Sequence, residues 1–261
     1  MRKTNRIGAA FERLGRTGGK AFIPYVMAGD GGLAATMERF MLLEECGADI
    51  VELGVPFSDP LADGPTIQRA AERALRQGCT LRRVLSLVSD MRARTEVPLV
   101  LMTYYNPVFK YGVESFVSDA VRAGVDGVIV PDLPPEEGRE LIVPSRRLGL
   151  ATVFLVAPTS TDIRIRRITA ACSGFVYYVS MTGITGARLT LEETFRQHIG
   201  RVRSMTRTPI AVGFGVSGPD EARTVAEVAD GVIVGSAIVK KFHEEPEGAR
   251  DFLQALRGAI A

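Results

Sequence analysis

The stretch Asp49-Ile50-Val51-Glu52-Leu53-Gly54-Val55-Pro56-Phe57-Ser58-Asp59-Pro60-Leu61-Ala62-Asp63-Gly64-Pro65-Thr66 begins as a buried strand and continues as a loop. Ile50, Val51 and Leu53 are apolar, yet Glu52 interrupts them where a packed interior would take another aliphatic side chain. Prolines at 56, 60 and 65 exclude helix or central strand for the residues after Gly54, so the segment reads as a long ordered loop. That loop carries two further carboxylates, Asp59 and Asp63. One acid at a strand end with others on the loop just after it matches the working face of a (β/α)₈ barrel, where the βα loops converge.

The rest of the chain supports this placement. Apolar runs at 21–27, 49–53, 99–102, 127–130, 151–156, 175–179, 210–212 and 231–234 make eight expected strands, each followed by a stretch of helical periodicity. Short apolar strands alternating with amphipathic helices imply parallel pairing, and eight such units favour closure into a TIM barrel over a doubly wound open sheet. Residues 5–14 add an extra N-terminal helix, with Ile7, Phe11 and Leu14 on one stripe, placed to cap the bottom of the barrel and ended by glycines at 15, 18 and 19. No composition shift or low-complexity linker divides the chain, so residues 1–261 are expected to form a single domain.

Composition narrows the function. Lys and Arg total 32 against 30 Asp and Glu, and the net charge of +2 leaves no electrostatic footprint for nucleic acid or an anionic membrane. No apolar run approaches the ~20 residues of a membrane span, and the N-terminal residues lead into no signal-like core, which points to the cytoplasm. In a plant-type source the plastid stroma would be the equivalent, although no transit peptide is evident. Cys46, Cys79 and Cys172 lack C-x-x-C spacing and read as buried free thiols, with no metal site implied. His198 and His243 fall in polar helical stretches and read as surface residues. Carboxylates are therefore the natural groups for proton transfer near neutral pH.

Two strand ends carry glycine motifs, Gly213-Phe214-Gly215 after the seventh strand and Gly235-Ser236-Ala237 after the eighth. In this fold those loops commonly hold a phosphate, because backbone N–H groups at a helix N-terminus can approach an anion closely where no Cβ intervenes. The expected substrate is therefore phosphorylated, with Gly213, Gly215, Gly235 and Ser236 as its cradle; tight turns alone would be the plainer explanation of any single glycine.

Together these motifs resemble the α subunit of tryptophan synthase over essentially the whole chain. The most specific piece runs from Glu52 to Gln68, supported by Met102 to Pro107, Pro131 to Pro134, Gly183 to Gly186, Gly213 to Gly215 and Gly235 to Val239. The resemblance implies retro-aldol cleavage of indole-3-glycerol phosphate to indole and glyceraldehyde 3-phosphate. It implies Glu52 as general acid/base, Asp63 as the acceptor of the indole N–H, and Tyr177 near the reacting carbons, with Asp59 shaping the loop or facing a partner. Tyr25 and Tyr104 would wall the indole pocket, and Thr185 and Gly186 would fold over the substrate. The resemblance also implies no cofactor in this chain, a β-subunit partner carrying pyridoxal phosphate, and an α2β2 tetramer. A phosphosugar isomerase or epimerase, or a degenerate subunit kept only to activate a partner, are the other readings; the loop from Glu52 to Asp63 disfavours both.

Overall fold

Among the described residues the apolar runs form nine parallel strands: β1 (Ala21–Met27), β2 (Val51–Gly54), β3 (Leu99–Met102), β4 (Gly127–Ile129), β5 (Ala151–Val153), β6 (Leu155–Val156), β7 (Val176–Val179), β8 (Ile210–Gly213) and β9 (Gly231–Val234). They pair in the order β5-β4-β3-β2-β1-β9-β8-β7-β6. This computed structural model describes residues 5–179, 188–213 and 215–260. The expected barrel is present, with one difference: the single strand expected at 151–156 is broken at Phe154 into β5 and β6. β5 ladders with β4 and β6 with β7. Around the break, the Ser173 N–H donates to the Thr152 carbonyl at 2.9 Å and the Tyr177 N–H to the Phe154 carbonyl at 3.1 Å. The strand bends where its ladder changes from one neighbour to the other, and the bend closes the ring.

The helices are α1 (Arg6–Thr17), α2 (Leu33–Glu45), α3 (Pro65–Arg76), α4 (Leu81–Met91), α5 (Tyr105–Tyr111), α6 (Val113–Ala123), α7 (Arg139–Leu148), α8 (Asp162–Ala171), α9 (Arg188–Arg203), α10 (Pro219–Ala226), α11 (Ser236–Glu244) and α12 (Ala249–Ile260). Two depart from expectation. α1 runs through Gly15 and stops at Gly18, whose φ of +73° is the left-handed conformation that ends helices. The stretch after β3, expected as a loop, is α5; Pro107 lies in its first turn, where a missing N–H costs nothing.

Two apolar cores result. One lies between strands and outer helices. The other fills the barrel, where Ile23, Ile50, Val100, Ile129, Phe175 and Ile233 meet Ile7, Phe11 and Leu14 of α1. α1 therefore plugs the bottom, and Gly127 leaves room for it: a Cβ there would come within 2.9 Å of Ile7.

The bottom rim is tied by side chains that reach across strands. Asp49 accepts from the Phe22 N–H at 3.0 Å, Asp126 from Leu99 at 2.9 Å, Ser173 from Thr152 at 2.9 Å and Asp230 from Ile210 at 2.8 Å. In each case a residue just before one strand captures an N–H at the start of a strand earlier in the chain. Arginines then neutralise the acids: Arg92 and Arg6 at Asp126, Arg257 and Arg13 at Asp49, and Arg203 at Asp230.

Candidate functional site

Glu52 lies midway along β2, between Tyr25 of β1 and Val100 of β3 in register. The inward column of β2 is Ile50, Glu52 and Gly54, so the carboxyl sits on the apolar floor of the barrel and faces its mouth. It is 1% exposed, and its Oε1 has no hydrogen-bond partner among the described residues. Burial, and secondly the charge of Asp63, push the carboxyl up to about 8. Glu52 thus carries a proton at neutral pH and can both donate and retrieve one.

Asp63 reaches the same space from the loop between β2 and α3. Gln68 anchors the loop by donating to the Asp63 carbonyl at 2.8 Å. Tyr104 holds it from the side, its hydroxyl accepting from the Ala62 N–H at 3.0 Å while its ring packs against Phe57 with centroids 5.3 Å apart. Burial raises the Asp63 pKa, and the Tyr104 hydroxyl acts in the opposite direction by favouring the carboxylate. Asp59, on the same loop, is turned outward and takes the Ser58 hydroxyl.

Two tyrosines frame the acids. A Cβ on Gly54 would fall 2.0 Å from the Tyr25 hydroxyl, and one on Gly213 would fall 2.2 Å from the Tyr177 hydroxyl. Glycine at the inward top positions of β2 and β8 is what lets each ring lean across to the neighbouring strand. Both phenols are buried and pushed well above the ordinary range by desolvation, with the nearby Glu52 and Asp63 adding to it, so both stay protonated.

These groups open into a cavity of about 660 Å³. Tyr25, Glu52, Asp63, Met102, Tyr177 and Ile233 line its inner part. The lining continues through Gly215, Val216 and Ser217 before α10, and through Gly235, Ser236 and Ala237 at the start of α11, where Gly235 lies beside the Tyr25 ring. α11 has no side-chain cap, so its first-turn N–H groups are free to bind an anion. Gly215, at φ +80°, adopts a conformation other residues rarely take.

The structure therefore gathers Tyr25, Glu52, Asp63, Tyr177, Gly215, Gly235 and Ser236 around one cavity. Tyr104 supports Asp63 from behind, and Gly213 makes space for Tyr177, so neither is among the residues lining that cavity. Thr185 and Gly186 lie outside the described residues. His198 is half-buried and meets the Tyr178 hydroxyl at 3.3 Å. Sequence reasoning missed Lys240 and Lys241, which line the outer cavity. Their spacing from Ser236 and Ala237, four residues or one helical turn along α11, was the available signal. The three cysteines are buried free thiols, and among the described residues no cluster of His, Cys, Asp and Glu could hold a metal ion.

Residues 11–259 match the family model described as tryptophan synthase alpha chain. The tryptophan synthase alpha chain of Geotalea uraniireducens (strain Rf4) is 52% identical over 240 residues, covering 92% of this chain and 90% of the relative. That of Geobacter sulfurreducens is 50% identical, covering 98% and 99%. The crystal structure of tryptophan synthase subunit alpha from Legionella pneumophila str. Paris superposes with a TM-score of 0.92 at 37% identity, covering 99% of both chains.

Proposed function

This chain belongs to the tryptophan synthase alpha chain family, and we propose that it works through Glu52 as acid and base, Asp63 at the indole nitrogen and Tyr177 beside the reacting carbons. It is a carbon–carbon lyase that cleaves indole-3-glycerol phosphate to indole and glyceraldehyde 3-phosphate.

Protonated Glu52 delivers its proton to indole C3, and the ring becomes a cation with its charge at the nitrogen. The Asp63 carboxylate faces that N–H and stabilises the charge. The hydroxyl on the carbon attached to C3 then loses its proton to Glu52. Its oxygen forms the aldehyde carbonyl as the carbon–carbon bond breaks, and that bonding pair restores the neutral indole ring. One proton leaves Glu52 and one returns, so the enzyme ends as it began. The observation that carries this reading is Glu52 itself, a buried carboxyl raised to about 8 and unpaired among the described residues. The cavity it faces is also lined by Gly215, Gly235 and Ser236, whose backbone N–H groups we read as the cradle for the phosphate.

Proton transfers suffice for this half-reaction, so this chain calls for no cofactor. Membership of the family implies a β-subunit partner. In our reading that partner carries pyridoxal phosphate, takes up the indole and assembles with this chain as an α2β2 tetramer. Leu61, 88% exposed on the Asp63 loop, and Phe109, 62% exposed on α5, offer apolar surface for it on the same rim. We place the protein in the cytoplasm; among the described residues no helix is long and apolar enough to cross a membrane. Thr185 and Gly186, outside the described residues, belong to the proposal as substrate-binding residues.

Indole release by the purified chain tests the assignment. Glu52→Gln should lower turnover by about 10²–10⁴ with substrate affinity within a few-fold, and Asp63→Asn should damage it similarly. More than a tenth of wild-type activity in Glu52→Gln would sink the acid/base role.

A further inference from the structure

We propose that the Tyr25 hydroxyl contacts the substrate, donating a hydrogen bond to a side-chain hydroxyl that itself donates to Glu52, and so selects a hydroxylated over a plain alkyl side chain. The inference rests on reading this cavity as the cleavage site and gives Tyr25 a role beyond that of an aromatic wall.

Tyr25 and Glu52 are register partners on adjacent strands, and both line the cavity. The Tyr25 ring leans over β2 so that its hydroxyl takes the space of the missing Gly54 Cβ. Gly54 is two residues beyond Glu52 on the same inward column. The hydroxyl therefore lies one step above the carboxyl, toward the mouth. Tyr25 is 5% exposed, and the one partner its hydroxyl has among the described residues is the Met27 sulfur at 3.9 Å, a weak acceptor. Glu52 Oε1 has none.

Two neighbouring buried polar groups without a strong partner, facing one cavity, ask for a third group that satisfies both. A ligand hydroxyl does so: it accepts from the phenol and donates to the unpartnered Glu52 oxygen, and it is the hydroxyl that must lose its proton in the cleavage. Gly54 makes room for the ring as well as the hydroxyl, since a Cβ there would stand 2.6 Å from the Tyr25 Cζ, but a phenylalanine would fill the same wall without burying a hydroxyl whose one described partner is a sulfur. The oxygen, rather than the ring, is what needs a reason.

The test is Tyr25→Phe in the full chain, alongside Glu52→Gln, with two ligands. One is indole-3-glycerol phosphate, followed by indole release. The other is indole-3-propyl phosphate, which has the ring and the phosphate without the hydroxyls, followed by calorimetric binding. The expected result for Tyr25→Phe is a loss of about tenfold in kcat/KM, as for one buried hydrogen bond, with affinity for the propyl phosphate within about twofold of wild type. Unchanged kcat/KM overturns the proposal, and so does an equal loss for both ligands, which would make the hydroxyl part of the wall. Should Tyr25→Phe fail to fold, the wild-type preference for a hydroxylated propyl phosphate over the plain one decides, and no preference overturns it. Activity surviving in Glu52→Gln would instead refute the reading of the site and remove the premise.

Discussion

Asp49 and Glu52 are three residues apart on the same strand segment, yet they occupy opposite chemical situations. At the bottom of the barrel Asp49 accepts from a backbone N–H and from Arg13 and Arg257. At the top Glu52 is left with an unpaired oxygen and a pKa raised to about 8. Asp126 and Asp230 repeat the first pattern in their partners; burial raises the pKa of Asp126 and of Asp63 alike, but Asp126 has two arginines and a backbone N–H to favour its charge, whereas Asp63 has the Tyr104 hydroxyl and leans toward the second pattern. One end of the barrel uses its carboxylates to hold strands together; at the other Glu52 keeps an oxygen unsatisfied, which in our reading is kept for the substrate. The difference lies in the partners, since a buried charge is costly unless paired and hydrogen-bonded.

The largest effect that would sharpen this contrast is on stability at the bottom. Asp126→Ala would leave the Leu99 N–H without its acceptor and the Arg92 guanidinium with backbone carbonyls but without its carboxylate. Urea unfolding should show a loss of about 3–5 kcal/mol, with kcat close to wild type wherever the protein is folded. A variant of normal stability and lost activity would reverse the roles of the two ends.

A smaller effect, of opposite sign, is expected at the top. Glu52 goes from its ordinary value near 4.5 to about 8 on folding. Between those pH values the folded protein keeps a proton that the unfolded chain has released, so stability falls as pH rises through the window. Glutamine has no such proton. Glu52→Gln should therefore gain on wild type between about pH 5 and pH 8, by on the order of a few kcal/mol, in paired urea titrations. A constant difference across that window would show that burial does not strain this carboxyl.

The smallest expected effect is at Asp59, which shares the top loop but faces solvent. Asp59→Asn should leave turnover of the isolated chain within about twofold and stability within about 0.5 kcal/mol, as for an ordinary surface change. A large fall in indole release would transfer to Asp59 the role given to Asp63.

Much of this was legible in the chain. Eight apolar runs with helical stretches between them state a barrel, because a parallel strand buried on both faces can tolerate few polar residues. Glu52 stood out as the exception to that rule, and the proline-rich segment after it could only be a loop. α5 was hidden because Tyr105, Asn106 and Pro107 look like loop residues until a helix start makes the proline harmless. The break at Phe154 was hidden for another reason: it depends on which strand pairs with each half of the segment.

What the sequence determined by itself is thus local: the period of each element, the polarity of each strand and the chemistry available at its end. Only the closed barrel decided the environment of each group. It seated Tyr25 over Gly54 and Tyr177 over Gly213, gave Asp49 its arginines and withheld them from Glu52. Solvation and hydrogen-bond supply belong to positions in space, and residues far apart in the chain share those positions only after it folds.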